Sequence, residues 1–286
     1  MLIDAHHHLW HPERASYPWL TPALGPLNRP MEWDRLEPQL RAIGVTHTVL
    51  VQSGDNDEDT DYLLEQADAH PSIAAVVAWV PLAEPERAEI RLDELARHPA
   101  FRGVRCSIHF EDDVDWLLRP EVSEGLRLLS ARGIPYDHVG VRRRHLALVP
   151  ELADRHPELV VVLDHLSKPP IGKDDAWVAG WQANLRAAAA NPNVVAKLSG
   201  LFPSRGDMSA WTAETIRPFV FFALEVFGAD RLMWGSDWPI SDLAGGYRKA
   251  WDELSLLLGE LSPRERDSIL WRTAARVYRI RAEDGA

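Results

Sequence analysis

The sequence predicts an α/β fold, a single (β/α)8 barrel built from eight parallel strands with helical crossovers. Three observations predict it. Short β-branched or apolar runs alternate with amphipathic stretches along the whole chain, and such runs number eight. Several of them end in a polar or charged residue, the pattern of a buried parallel strand that delivers a functional side chain at its tip. The length, 286 residues, suits one barrel of this kind, which typically takes roughly 250.

The strands are expected at residues 2–8, 47–52, 74–80, 103–109, 134–139, 160–165, 194–199 and 232–237. Between them, residues 60–69 carry apolar residues at helical spacing before His70-Pro71, and residues 150–157 read as a short helix closed by proline. Residues 270–278 read as a final amphipathic helix. Eight repeats favour a closed barrel over an open sheet, and no Gly-x-Gly-x-x-Gly follows the first strand. Two stretches interrupt the rhythm. Residues 12–38 are rich in proline and tryptophan, and residues 202–215 form a second excursion after the seventh strand. Loops that follow strands lie at the catalytic face of a barrel, so both are candidate lids or pocket walls, with ordinary surface padding as the alternative. No internal boundary or low-complexity segment appears, so residues 1–286 are read as one domain.

The bulk numbers exclude several classes. A net charge of −12 gives no field to draw in phosphates, so neither nucleic acid nor an anionic membrane surface is expected as a partner. The one dense basic run, residues 142–145, reads as a solvated helix start. A single cysteine, Cys106, excludes an intrachain disulfide framework and a cysteine-rich zinc site, so histidine and carboxylate must supply any metal ligands. The first residues show no basic region followed by an apolar run, and the apolar stretch at 73–80 is too short to cross a bilayer, which leaves the cytoplasm as the expected location.

On a regular strand Asp4, His6 and His8 share one face and Ala5 and His7 the other. With that face turned inward, two imidazoles converge at the barrel mouth and invite a metal ion. Residues 160–163 lead to Asp164-His165, which makes His165 a third ligand or an electrophile; the last strand ends similarly at Asp237. Arg105, Lys168 and Lys197 are cations at or near strand tips. Buried, they need partners: a substrate carboxylate or lactone oxygen, or a structural ion pair with Asp137 or Asp237. Trp10, Trp19, Trp79 and Trp238 are candidate stacking walls, with core packing as the alternative.

The ordered set Ile3-Asp4-Ala5-His6-His7-His8-Leu9-Trp10, Gly103-Val104-Arg105, Leu163-Asp164-His165-Leu166-Ser167-Lys168-Pro169, Lys197-Leu198-Ser199-Gly200-Leu201 and Gly235-Ser236-Asp237-Trp238-Pro239 resembles the amidohydrolase superfamily. Within it, the motifs are most similar to the amidohydrolase-2 group of sugar-lactone hydrolases and 2-pyrone-4,6-dicarboxylate lactonases. The resemblance spans nearly the whole chain. It implies a distorted (β/α)8 TIM barrel with one divalent ion, zinc first and manganese second, held by His6, His8, His165 and Asp237; catalysis without a metal stays open. Arg105 in place of a bridging lysine argues against a binuclear centre. Many relatives carry His-Gln after that arginine, where this chain has Cys106-Ser107, and His109 two positions further on shares the face of Arg105.

The implied reaction opens a small-molecule lactone, sugar-derived or carboxylated. Asp237 activates water, His165 and Arg105 stabilise the oxyanion, and Lys168, Lys197, Gln52, His109, Trp10 and Trp238 contact the substrate. The alternatives are a metal-dependent decarboxylase of an aromatic or unsaturated acid and a barrel that only binds. A homo-oligomer is left open.

Overall fold

The computed structural model describes residues 1–203 and 207–281. Eight strands lie in one parallel sheet in chain order: β1 (Ile3–His7), β2 (His47–Val51), β3 (Ile73–Ala78), β4 (Phe101–Cys106), β5 (Tyr136–His138), β6 (Val161–Leu163), β7 (Val194–Leu198) and β8 (Leu232–Trp234). The crossovers carry α1 (Trp33–Ile43), α2 (Asp57–Ala69), α3 (Pro85–Leu95), α4 (Pro120–Arg132), α5 (Arg143–Ala147), α6 (Val149–Arg155), α7 (Asp175–Ala189) and α8 (Ala213–Phe227). After β8 follow α9 (Tyr247–Leu258), α10 (Pro263–Asp267) and α11 (Thr273–Val277). The predicted (β/α)8 barrel is the observed fold.

The seam between β8 and β1 is not a full ladder. It is closed by the chain just beyond β8, where His8 N donates to the Trp238 carbonyl at 2.7 Å and Asp237 N donates to the His6 carbonyl at 2.8 Å. The closure thus ties Asp237 directly to the first-strand histidines.

Two apolar layers hold the barrel. Inside, Ile3, Ala5, Val49, Val51, Val77, Val162, Val195 and Met233 pack on one another and on Ala274, Val277 and Tyr278 of the C-terminal segment. Outside, Leu50, Val76, Val104, Val161, Ala196 and Trp234 face the helices. This two-sided burial is why the strands read as apolar runs rather than as an alternation. The interior turns polar only towards the strand tips, at Arg105, Asp137, Asp164 and Lys197.

Several boundaries differ from expectation. β1 carries one extra residue between Asp4 and His7, where its register against β2 shifts. The bulge breaks the strict alternation: Ala5 faces the barrel interior with Ile3, His6 follows it inward, and Asp4 points away to accept Ser236 N at 2.9 Å. β4, β6 and β8 stop short of the predicted ends, because their polar tips leave the ladder. His109 sits on a 3-10 turn (Ile108–Phe110), and His165 and Asp237 sit in left-handed backbone at φ 54° and φ 58°. Of the predicted long loops, 12–38 ends in the first turns of α1, and 202–215 ends in α8. Residues 204–206 of that second loop lie outside the described residues. The final helix is interrupted by a π turn (Ser268–Arg272) ahead of α11.

Candidate active site

The site is assembled from strand tips. At its floor Arg105, and beneath it Lys197, project inward and meet Asp137 and Asp164. Lys197 Nζ lies 2.5 Å from Asp137 Oδ2 and 3.1 Å from Asp164 Oδ1, and Arg105 Nη1 lies 3.1 Å from Asp164 Oδ2. Two cations against two carboxylates leave this buried cluster neutral, the condition under which buried charge is tolerated. Burial pushes Asp164 up, but Lys197, His6 and Arg105 outweigh it and hold the carboxyl well below its usual range. From below, the Tyr278 hydroxyl donates to Asp137 at 2.8 Å, so the C-terminal segment reaches through the barrel to brace this cluster.

The cluster fixes His6. Its Nδ1 lies 3.2 Å from Asp164 Oδ1 and 3.1 Å from Lys197 Nζ, which turns Nε2 up into the barrel mouth. His8 is fixed from the other side, with Nδ1 2.9 Å from the Val51 carbonyl. A carbonyl only accepts, so Nδ1 carries the proton and Nε2 presents a lone pair. His165 Nδ1 rests 2.8 Å from Ser199 Oγ. Burial lowers all three imidazoles: His6 to about 3, and His8 and His165 well below the usual range, so they are neutral near pH 7.

Three imidazole nitrogens converge on one carboxylate oxygen. Asp237 Oδ1 lies 3.9 Å from His6 Nε2, 3.8 Å from His8 Nε2 and 3.7 Å from His165 Nε2, and the His6 and His8 Nε2 atoms are 3.1 Å apart. These separations are close to those between ligands on one ion, since metal–nitrogen bonds of about 2.0–2.1 Å place tetrahedral neighbours about 3.4 Å apart. The backing of His8 by a carbonyl and of His6 by a carboxylate is the arrangement that orients imidazole ligands. His6, His165 and Asp237 lie close enough together to hold one divalent ion, with His8 Nε2 beside them at 3.8 Å from Asp237 Oδ1. A second grouping, His6, Asp137 and Asp164, already holds the Lys197 ammonium in the cation's place.

Asp237 itself is buried, and burial pushes its carboxyl up to about 6 against the pull of Lys168 and Arg105. Lys168 Nζ stands 3.8 Å from its Oδ2. The backbone around it leaves no slack. Gly200 has φ 56°, and a Cβ there would lie 2.6 Å from Asp237 Oδ2 and 2.8 Å from His165 Nδ1. At Gly235 a Cβ would meet His6 Cβ at 2.6 Å. Four successive non-glycine residues, His165, Leu166, Ser167 and Lys168, take positive φ. Each such residue costs on the order of 1 kcal/mol, so the turn that aims His165 and Lys168 is held against strain. Trp181 Nε1 helps hold it by donating to the Leu166 carbonyl at 2.9 Å.

Above the donor set opens a cavity of ≈170 Å³. His8, His165, Asp237 and Arg105 form its reactive end; Ser107, His109 and Lys168 add polar groups, and Trp10 and Trp19 wall one side. That wall comes from Trp10, just past β1, and Trp19 of the 12–38 loop, and it is pinned down: Trp19 Nε1 donates to the Ser53 carbonyl at 2.7 Å, Trp10 Nε1 to the Arg29 carbonyl at 2.8 Å, and the Tyr17 hydroxyl to Asp59 Oδ1 at 2.8 Å.

Of the sequence-predicted residues, His6, His8, His165, Asp237, Arg105, Lys168, His109 and Trp10 come together here. Three do not reach the cavity. Lys197 is fully buried in the ion cluster, Trp238 is fully buried at the seam, and Gln52 lies under the floor, its Nε2 donating to Asp55 Oδ1 at 2.9 Å. Each of these three packs into the scaffold instead, Lys197 as the ion pair with Asp137 that the sequence left open. Trp79 likewise packs under Arg87. The hub that sequence reasoning passed over is Asp164, although the inward alternation of Val162 and Asp164 carried the signal.

The amidohydrolase family model (Amidohydro_2) matches residues 3–280. An L-fucono-1,5-lactonase of Burkholderia ambifaria is 37% identical over 290 residues, covering 99% of this chain and 97% of the relative. The crystal structure of an amidohydrolase from Burkholderia multivorans with bound zinc superposes with a TM-score of 0.90 at 35% identity, covering 98% of this chain and all of the other. A 2,6-dihydroxybenzoate decarboxylase from Rhizobium, at 17% identity and a TM-score of 0.67, shares the fold alone. Fold, ordered strand-tip residues and a family match over nearly the whole length lead to one conclusion: the chain belongs to the amidohydrolase family.

Proposed function

We propose that the chain is a metal-assisted lactonase that opens a sugar-derived lactone, with L-fucono-1,5-lactone as the first substrate to test. The observation that carries this reading is the convergence of three imidazole Nε2 atoms on Asp237 Oδ1 at 3.7–3.9 Å. The 37% identity to an L-fucono-1,5-lactonase supports the substrate class. A cavity of ≈170 Å³ suits a ligand smaller than the drug-sized molecules that fill roughly 300–1,000 Å³.

His6, His8, His165 and Asp237 would hold one divalent ion, zinc in this proposal and manganese as the substitute. Such an ion supplies Lewis acidity, polarising a carbonyl and acidifying water. Asp237 is the base: its carboxylate takes the proton of the attacking water and returns it to the ring oxygen as the ester bond breaks. The Arg105 guanidinium, held by Asp164 and by the Gln52 carbonyl at 2.6 Å, meets the charge that grows on the carbonyl oxygen. Lys168 and His109 hold substrate hydroxyls, and Trp10 and Trp19 offer faces to the ring.

No helix among the described residues is long and apolar enough to cross a membrane, and we place the enzyme in the cytoplasm. A pH-indicator screen of aldonolactones and carboxylated lactones, with and without zinc or manganese, tests the reading. Opening of aldono-1,5-lactones is expected; release of carbon dioxide from aromatic acids in the absence of lactone opening would contradict it.

A further inference from the structure

Beside the reaction cavity lies a larger one of ≈590 Å³, inside the size range of organic-ligand sites. The two share only Val141 and Lys168 among their lining residues, so these side chains form the partition between them. The walls of the second cavity are apolar, from Leu146, Pro169, Pro170, Ile171, Trp177 and Trp181. They are also firm: Trp181 is anchored through its Nε1 to the Leu166 carbonyl and packs edge-on against Phe219 at 5.5 Å.

Its charge sets it apart. On a chain of net charge −12, Arg142, Arg143, Lys168 and Lys173 line this cavity and, among the described residues, no carboxylate does. Neighbouring Arg144 is committed to Asp115 at 2.6 Å. By contrast, Arg142, Arg143 and Lys173 make no ion pair with a carboxylate among the described residues; Arg142 reaches only the Asp112 carbonyl at 3.4 Å, and Arg143 lies over the Trp177 ring at 5.2 Å. The acid adjacent to Lys173, Asp174, accepts Trp177 N at 3.0 Å as the cap of α7. A preformed apolar slot beneath uncompensated cations is complementary to an anion with an apolar body.

We propose that this cavity binds a small organic carboxylate, its ring lying against Trp177 and Trp181 and its carboxylate held by Arg143 and Lys173. The inference does not rest on the lactonase reading, because Arg143 and Lys173 line the second cavity and not the first.

Isothermal titration calorimetry of the full chain with benzoate, cyclohexanecarboxylate and naphthalene-2-carboxylate tests it. One-to-one saturable binding is expected for at least one of them. Its affinity should fall at least tenfold in the double variant Arg143→Ser/Lys173→Ser, whose two sites are exposed and whose melting temperature should not change. The matching neutral alcohol should bind at least tenfold more weakly. The absence of saturable heat, an affinity untouched by the double substitution, or equal binding of the alcohol would each overturn the proposal.

Discussion

The ammonium of Lys197 lies 2.5 Å from Asp137 Oδ2, and neither side chain has any exposed surface. Lys197 therefore serves the scaffold: it neutralises Asp137 and Asp164 and sits 3.1 Å from His6 Nδ1, directly below the candidate metal ligands. Replacing it with methionine leaves Arg105 alone against Asp137 and Asp164, one buried charge unbalanced. Breaking a buried pair in this way costs about 3–5 kcal/mol. Urea denaturation should show Lys197→Met destabilised by that order, with part of the loss recovered in Lys197→Met/Asp137→Asn. Unchanged stability with only a raised KM would make Lys197 a substrate contact instead.

Gly200 is required by conformation and by space, since it has φ 56° and a Cβ would lie 2.6 Å from Asp237 Oδ2. Gly200→Ala should cost about 1–2 kcal/mol of stability from the left-handed backbone. It should also lower kcat on the best lactone by at least a hundredfold, because Asp237 and His165 must both move. A variant with normal kcat would show that the positions of these two groups are not critical.

Trp19 touches the cavity without belonging to its reactive end, and its ring is held by the Ser53 carbonyl and by edge contact with Trp10 at 5.1 Å. Trp19→Ala should therefore raise KM about tenfold and change kcat by less than threefold, as expected for a group that binds ground state and transition state alike. Steady-state kinetics separates the two. A large fall in kcat at constant KM would assign Trp19 a part in the chemistry.

The faces and tips of the strands were legible in the sequence because buried parallel strands are apolar until they reach the mouth. The same reasoning went astray on β1, where the one-residue bulge turns Ala5 and His6 to the same side and sends Asp4 outward. A period of two contains no information about an insertion opposite a neighbouring strand. For Lys197 the sequence left a substrate contact and an ion pair with Asp137 both open, and for Gln52 it pointed only to a substrate contact, for a related reason. Whether a tip residue meets substrate or another tip depends on its height in the barrel and on the residues of adjacent strands, and here Asp137 and Asp164 claim the ammonium first. Nothing local linked Tyr278 to Asp137, 141 residues away.

Metal removal tests the donor set apart from catalysis. A ligand that binds only the folded chain stabilises it by about 2.7 kcal/mol at a hundred times its dissociation constant. Zinc added to chelator-treated protein should raise the unfolding temperature, and the rise should vanish in His6→Ala/His8→Ala. If turnover survives chelation unchanged, hydrolysis proceeds without a metal and rests on Asp237, Arg105 and the imidazoles.

The most direct test of the account is kcat/KM for L-fucono-1,5-lactone in Asp237→Asn, measured beside the wild type with the metal content of both proteins determined. The asparagine keeps the shape of Asp237 and loses its capacity to take a proton. The account predicts a fall of at least a thousandfold in a folded protein that still carries its metal. Turnover within tenfold of the wild type would remove Asp237 from the mechanism and with it the hydrolytic centre described for this site.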